Sequence, residues 1–332
     1  MEKWILPDAQ YRTVRKRFDN AVKRLQQQGK EIATLARQSG LARNDISSMY
    51  HRWKETYFEF WSHGTVSELA NWGGEKFLMD ALKKRGLHGA DYLHALEVLS
   101  APAGLGFFQE AERDLLKITL EHNPPQPSLT LREGDRSKPP LKIRGGRGSY
   151  DNALENALKR YAQKYFWLHN SYYISKVLTI NDFAQMLKVE LKKGRLQERL
   201  HEIERAPKKR RQEKYKMIKK LGLTSLEVNV ARKLGQTISW QDERKKYVWQ
   251  ANHIIDIFLR EVARRAKVPL AMCKDLLPDE VEQILQGKKV DARRLSRERT
   301  VNVIHFTKSW KWEVTCGVKS RTLLASYLQK TQ

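Results

Sequence analysis

SWQDERKKYVWQANHIIDIFLREVARRAKVPLAMCKDLLPDEVEQILQGKKVDARRLSRERTVNVIHFTKSWKWEVTCG (Ser239–Gly317) decides the fold class. Its first third places Tyr247, Ala251, Ile254, Ile255, Phe258, Leu259 and Val262 on one side of a 3.6-residue period, which predicts a long amphipathic helix over about Gln241–Lys267. Pro278-Asp279-Glu280 then offers a proline at the first helical position and acids in the first turn, although Leu277 supplies no capping oxygen. The period changes to two at the end. Val301, Val303 and His305 alternate with Asn302, Ile304 and Phe306, and Trp310, Trp312, Val314 and Cys316 alternate with Lys311, Glu313 and Thr315. The short Lys308-Ser309 connection suits a hairpin at about 300–316, and two strands alone need helices to pack against.

Upstream, the helical period dominates. Leu154, Leu158, Tyr161, Tyr165, Leu168 and Tyr172 follow at spacings of 4, 3, 4, 3 and 4, and similar stripes lie in Arg12–Gln28, Asp45–Trp61, Glu75–Lys84, Ala90–Leu99 and Gln109–His122. The expected class is therefore mostly α, a multi-helix assembly with a small C-terminal β-hairpin. Asn123–Ser149, with NPPQP and LREGDRSKPPLKIRGGRGS, reads as a proline-, glycine- and charge-rich linker. It divides the chain into an N-terminal helical part (1–122), the linker (123–149) and a C-terminal helical part (150–332). A further break is expected between Gly194 and Lys220, where Pro207 interrupts a basic helix.

Sixty-three Lys and Arg against 38 Asp and Glu leave a formal charge of +25, which attracts polyanions. Solvated Lys and Arg faces of an ordinary helical protein account for the same number equally well. No apolar run is long enough to span a bilayer, so no membrane role is expected. Two distant cysteines, Cys273 and Cys316, fit a reduced cytoplasmic setting with neither disulfide framework nor zinc site. No Ser-His-Asp order, paired-carboxylate motif, His-x3-His or Cys-x2-Cys pair occurs, so no catalytic residue, metal or cofactor is expected.

Two further stretches, LHALEVLSAPAGLGFFQEAERDLLKI (Leu93–Ile118) and RYAQKYFWLHNSYYISKVLTINDFAQML (Arg160–Leu187), join Ser239–Gly317 in an ordered series. Together, over about Leu69 to Leu328, the series resembles the helical central region of phosphoenolpyruvate synthase-like phosphotransferases, including the rifampicin phosphotransferases. The resemblance implies the acceptor-binding helical domain that lies between an ATP-grasp part and a swivelling phosphohistidine part. Neither catalytic part is visible. No Gly-rich nucleotide loop precedes acidic metal ligands, and none of the nine histidines sits among small Ser, Thr and Gly residues. His305 comes nearest and reads as a structural or surface residue. The resemblance thus implies a non-catalytic binding module for an anionic ligand or partner, with phosphotransfer requiring a partner that carries the missing domains.

A competing reading is nucleic-acid binding. KEIATLARQSGLARNDISSMYHRW (Lys30–Trp53) follows a helix-turn-helix pattern, with Ala36, Gly40 and Ile46 in the small, turn and buried positions. Its second helix offers Arg43, Asn44 and Arg52 to DNA, although an ordinary helical hairpin has the same pattern. Residues 188–220 hold 14 Lys and Arg against 5 Glu, centred on Lys208, Lys209, Arg210 and Arg211, with Tyr215 as the interleaved aromatic. Arg144 and Arg147 in RGGRG resemble one unit of an RNA-binding segment. Partners of both kinds, DNA or RNA and an anionic small molecule, stay open. Finally, Trp167, His169, Asn170 and Tyr173 could line a ligand pocket between helices, or belong to plain core.

Overall fold

The computed structural model describes residues 5–38, 43–122, 152–299, 302–306 and 312–330. Among them the chain is mostly α-helical: α1 (Asp8–Gln38), α2 (Arg43–Gly64), α3 (Val66–Lys84), α4 (Gly89–Ser100), α5 (Phe107–His122), α6 (Asn152–Tyr165), α7 (Ile180–Lys193), α8 (Leu196–Leu221), α9 (Ser225–Ala266), α10 (Leu270–Cys273), α11 (Pro278–Leu285), α12 (Ala292–Glu298) and α13 (Val318–Lys330). Strand β1 (Asn302–Phe306) pairs antiparallel with β2 (Trp312–Cys316), Ile304 opposite Val314. The expected connection at Lys308-Ser309 lies outside the described residues. α13 packs against both strands.

Residues divide into two compact units that do not follow the linker. One comprises Met1–Asn20 and Trp61–His253, the other Ala21–Phe60 and Ile254–Gln332. The expected split into 1–122 and 150–332 is replaced because packing joins helices from both sides of residues 123–149, themselves outside the described residues. α5 contacts α6, α7 and α8, and α4 contacts α8. Composition along the chain marks where it is polar, and carries no information about which distant helices meet.

In the first unit, α9 is the common wall. Its Glu227 accepts from Arg85 at 2.6 and 2.7 Å, its Gln241 from Asn71 at 2.9 Å, and its Arg244 donates to Glu68. Each pair of numbers sums to 312, so α3 runs antiparallel to α9. The start of α1 runs parallel to it instead: Asp8 pairs with Lys233 at 2.6 Å and Arg15 with Glu243 at 2.5 Å. Between these pairs Leu78, Leu82, Ala95, Leu99, Val230, Ala231 and Leu234 form an apolar core. Lys233, Thr237, Trp240 and Arg244, spaced 4, 3 and 4, form a second, partly charged row that is fully buried. Arg244 stacks 4.8 Å from the Trp61 ring, and only a glycine fits at 64, where a Cβ would stand 2.6 Å from Arg244 Cδ.

A second core joins Phe107, Leu115, Leu158, Tyr161, Tyr165, Trp167, Phe183 and Leu187 of α5, α6, α7 and the turn after α6. The predicted aromatic helix stops at Tyr165, short of the Leu168–Tyr172 part of its stripe. There Asn170 accepts from the Lys176 N–H at 2.6 Å and donates to Trp249 O at 2.8 Å. That side chain tethers a turn to α9 and satisfies backbone groups that the helix would otherwise use. α7 then restarts with a reciprocal Thr179–Asp182 cap.

α8 corrects the expected break at Pro207, since the helix runs unbroken through it. The proline removes one backbone hydrogen bond, a loss that the helix bears without breaking.

In the second unit, Ala21–Gln38 and Arg43–Phe60 of α1 and α2 form an antiparallel pair. Arg24 meets Glu59 at 2.5 Å, and Gln28 and Ile32 face Arg52 and Met49 across a shared groove. α11 docks on α2 as well: Tyr50 donates to Pro278 O at 3.2 Å and Lys54 to Glu282 at 2.5 Å. Glu280 takes the part of the missing cap at Leu277, accepting its N–H at 2.8 Å while pairing with Arg299.

Replacing Glu68 with Ala should leave Arg244 uncompensated inside the first unit. The expected loss is near the lower end of the about 3–5 kcal/mol for breaking a buried pair, because Glu68 keeps some solvent contact. Urea unfolding checks it; an unchanged midpoint would show that the Trp61 ring alone supports the guanidinium.

Candidate functional site

Pairing sorts the basic residues of α8 into two faces. Ile203, Pro207, Arg210, Lys214, Met217 and Leu221, at spacings of 4, 3, 4, 3 and 4, are half-buried. Two of their cations are used internally: Arg210 donates to Gly104 O at 2.6 Å and Lys214 to Ala101 O at 2.8 Å. Nearer the start of the helix, Arg199 reaches both Glu112 of α5 and Glu190 of α7, and Lys117 of α5 pairs with Glu204 at 2.7 Å. Ion pairs and carbonyl contacts thus fasten a helix that buries no complete side chain.

The opposite face is open. Arg205, Lys208, Arg211, Tyr215, Lys216 and Lys219 are exposed, and among the described residues none of these cations makes an ion pair. Lys209, also exposed, reaches Glu213 only at 3.9 Å. Tyr215 lies between Arg211 and Lys219, with the Lys219 ammonium 4.9 Å from its ring. Counted from Lys208, the residues at 211, 215 and 219 are spaced 3, 4 and 4, so cations flank an aromatic on one stripe about 16 Å long at 1.5 Å per residue. Such a stripe can neutralise successive phosphates and offer one ring for stacking.

The structure separates the sequence-predicted residues. Of the four basic candidates, Lys208, Lys209 and Arg211 are on the outer surface and Arg210 turns inward. Trp167 and Asn170 are buried, with Trp167 Nε1 donating to Lys164 O at 2.8 Å and both Asn170 groups bonded as above; His169 and Tyr173 are exposed. Their burial and internal bonding make Trp167 and Asn170 structural. Arg52 is exposed on the second unit. Arg43 and Asn44 head α2, with side chains outside the described residues, as are Arg144 and Arg147 altogether.

Lys214 belongs to the basic run that the sequence offers to phosphates, but it turns inward, as the 3–4 spacing of the inner face of α8 signals. Burial pushes its ammonium down from 10.5 to about 8, since its partners are the carbonyls of Ala101 and, at 3.4 Å, Ala231. Gly235 clears space for it: a Cβ there would stand 2.9 Å from Nζ and 2.8 Å from Ala101 O. Among the described residues no group of His, Cys, Asp and Glu is arranged to hold a metal, and no helix is long and apolar enough to cross a membrane.

Between pH 8 and 10.5 the folded protein has released the Lys214 proton while the unfolded chain still holds it, so stability rises with pH across that window. Thermal unfolding of the wild type and Lys214→Met at pH 7.5, 9 and 10.5 should show the wild type gaining on the variant as pH rises. A constant difference would mean that Lys214 is solvated. Among known proteins, no family model, curated protein or solved structure matches the chain.

Proposed function

We propose that this protein is a non-catalytic helical binding module whose partner is a polyanion, gripped by the outer face of α8. One observation carries the reading: among the described residues Arg205, Lys208, Arg211, Lys216 and Lys219 of that face make no ion pair, while the cations of the inner face are consumed by carbonyls and carboxylates. The Tyr215 ring adds a stacking surface that suits a nucleic-acid strand better than a featureless anion. The likeness to the acceptor-binding region of phosphoenolpyruvate synthase-like enzymes belongs to the same proposal, as the origin of the helical scaffold. In that reading any phosphotransfer needs a partner with nucleotide and phosphohistidine domains.

Binding to a fluorescent single-stranded oligonucleotide should weaken steeply with salt. Replacing Lys208, Arg211 and Lys219 together with Glu should lower the slope of log K against log salt by about 0.7 for each phosphate that the protein ceases to neutralise. Replacing Lys192 and Lys193 with Glu, outside α8, should leave the slope nearly unchanged. Equal decreases in both variants would point to diffuse attraction by the net charge. ATP consumption or histidine phosphorylation by the purified protein alone would overturn the non-catalytic part.

A further inference from the structure

The second unit holds a groove of about 240 Å³ between α1 and α2, lined by Arg24, Gln27, Gln28, Glu31, Ile32, Met49 and Arg52. Ile32 and Met49 are buried and make an apolar floor. The rim is polar, and its groups are unequally committed. Arg24 already pairs with Glu59 at 2.5 Å, and Gln27 donates to Glu31 at 3.2 Å. Arg52 makes no ion pair among the described residues, although Glu31 lines the same groove. The Gln28 amide oxygen is buried without a hydrogen bond, and as an acceptor it takes no part in holding an anion.

We infer that this groove is a binding site for a small monoanion with an apolar body, of the aryl or alkyl carboxylate class. Glu59 already neutralises Arg24, so the guanidinium left for an incoming anion is that of Arg52, whose single charge a monoanion matches. A phosphate dianion would overshoot that charge beside Glu31. The uncommitted Arg52 fork matches a carboxylate with two parallel hydrogen bonds, and the Ile32–Met49 floor takes the hydrocarbon. The volume falls below the about 300–1,000 Å³ of usual ligand clefts, which limits the body to roughly one ring or a short chain. The inference is independent of the α8 reading, because all lining residues belong to the second unit.

Met49 supplies a reporter, since its methyl signal can be followed among those of six methionines. In full-length protein labelled at the methionine methyls, benzoate should shift the Met49 resonance saturably, while benzyl alcohol and inorganic phosphate should not. Arg52→Ala, at an exposed position, should weaken benzoate about tenfold or more while far-UV dichroism stays unchanged. The Lys208, Arg211 and Lys219 variant should retain benzoate binding. The inference fails if Met49 does not respond to benzoate, if benzyl alcohol or phosphate shifts it equally, or if Arg52→Ala binds benzoate as well as the wild type.

Discussion

The burial of charge along α9 is the constraint on which the first unit depends. Lys233 and Arg244 sit in a row that would ordinarily be aliphatic, and each must find a compensating group. Asp8 and Glu68 provide them, from α1 and α3 respectively. The Lys233 hydrogen bond, aided by Arg232, pulls Asp8 down to about 2, and Arg244 likewise holds the Glu68 carboxyl below its ordinary range. Because each pair tolerates only a short range of positions, the pairs set the register of α1 and α3 on α9. Apolar contacts between Leu78, Leu82, Val230 and Leu234 then fill a geometry that the charges select.

That division of labour also explains α8. A helix with no buried residue contributes little apolar stabilisation, so it is held by a few directed contacts: Arg199 with two glutamates, Arg210 and Lys214 with backbone carbonyls of the 101–104 segment. The inward cations are costly to dehydrate, as the lowered Lys214 shows. The outward ones stay exposed to solvent. One basic run therefore serves two physical purposes, and its 3.6-residue period separates them.

Much of the fold was legible in periodicity. The helices α2, α4, α5 and the C-terminal half of α9 coincide closely with apolar stripes at spacings of three and four. Less legible were the places where a local side-chain bond overrides the stripe, as Asn170 does after Tyr165, and where a helix continues through a proline, as at Pro207. Of the candidate site, the charge of 208–211 was visible and its partition was not. The aromatic-amide set around Trp167 read equally as pocket or core, because residue type alone cannot tell a buried, satisfied amide from one that awaits a ligand.

By itself the sequence determined the mostly helical class, the strong positive charge and the position of the basic run. Each follows from local quantities: the period of apolar residues and the sum of ionisable groups. Only the tertiary structure decided that packing joins helices across 123–149, that Arg210 and Lys214 are consumed internally while Lys208, Arg211 and Lys219 stay open, and that Arg52 overlooks a groove. Those outcomes depend on which distant groups meet and neutralise one another, and pairing between residues as far apart as Asp8 and Lys233 leaves no mark in the local pattern of either.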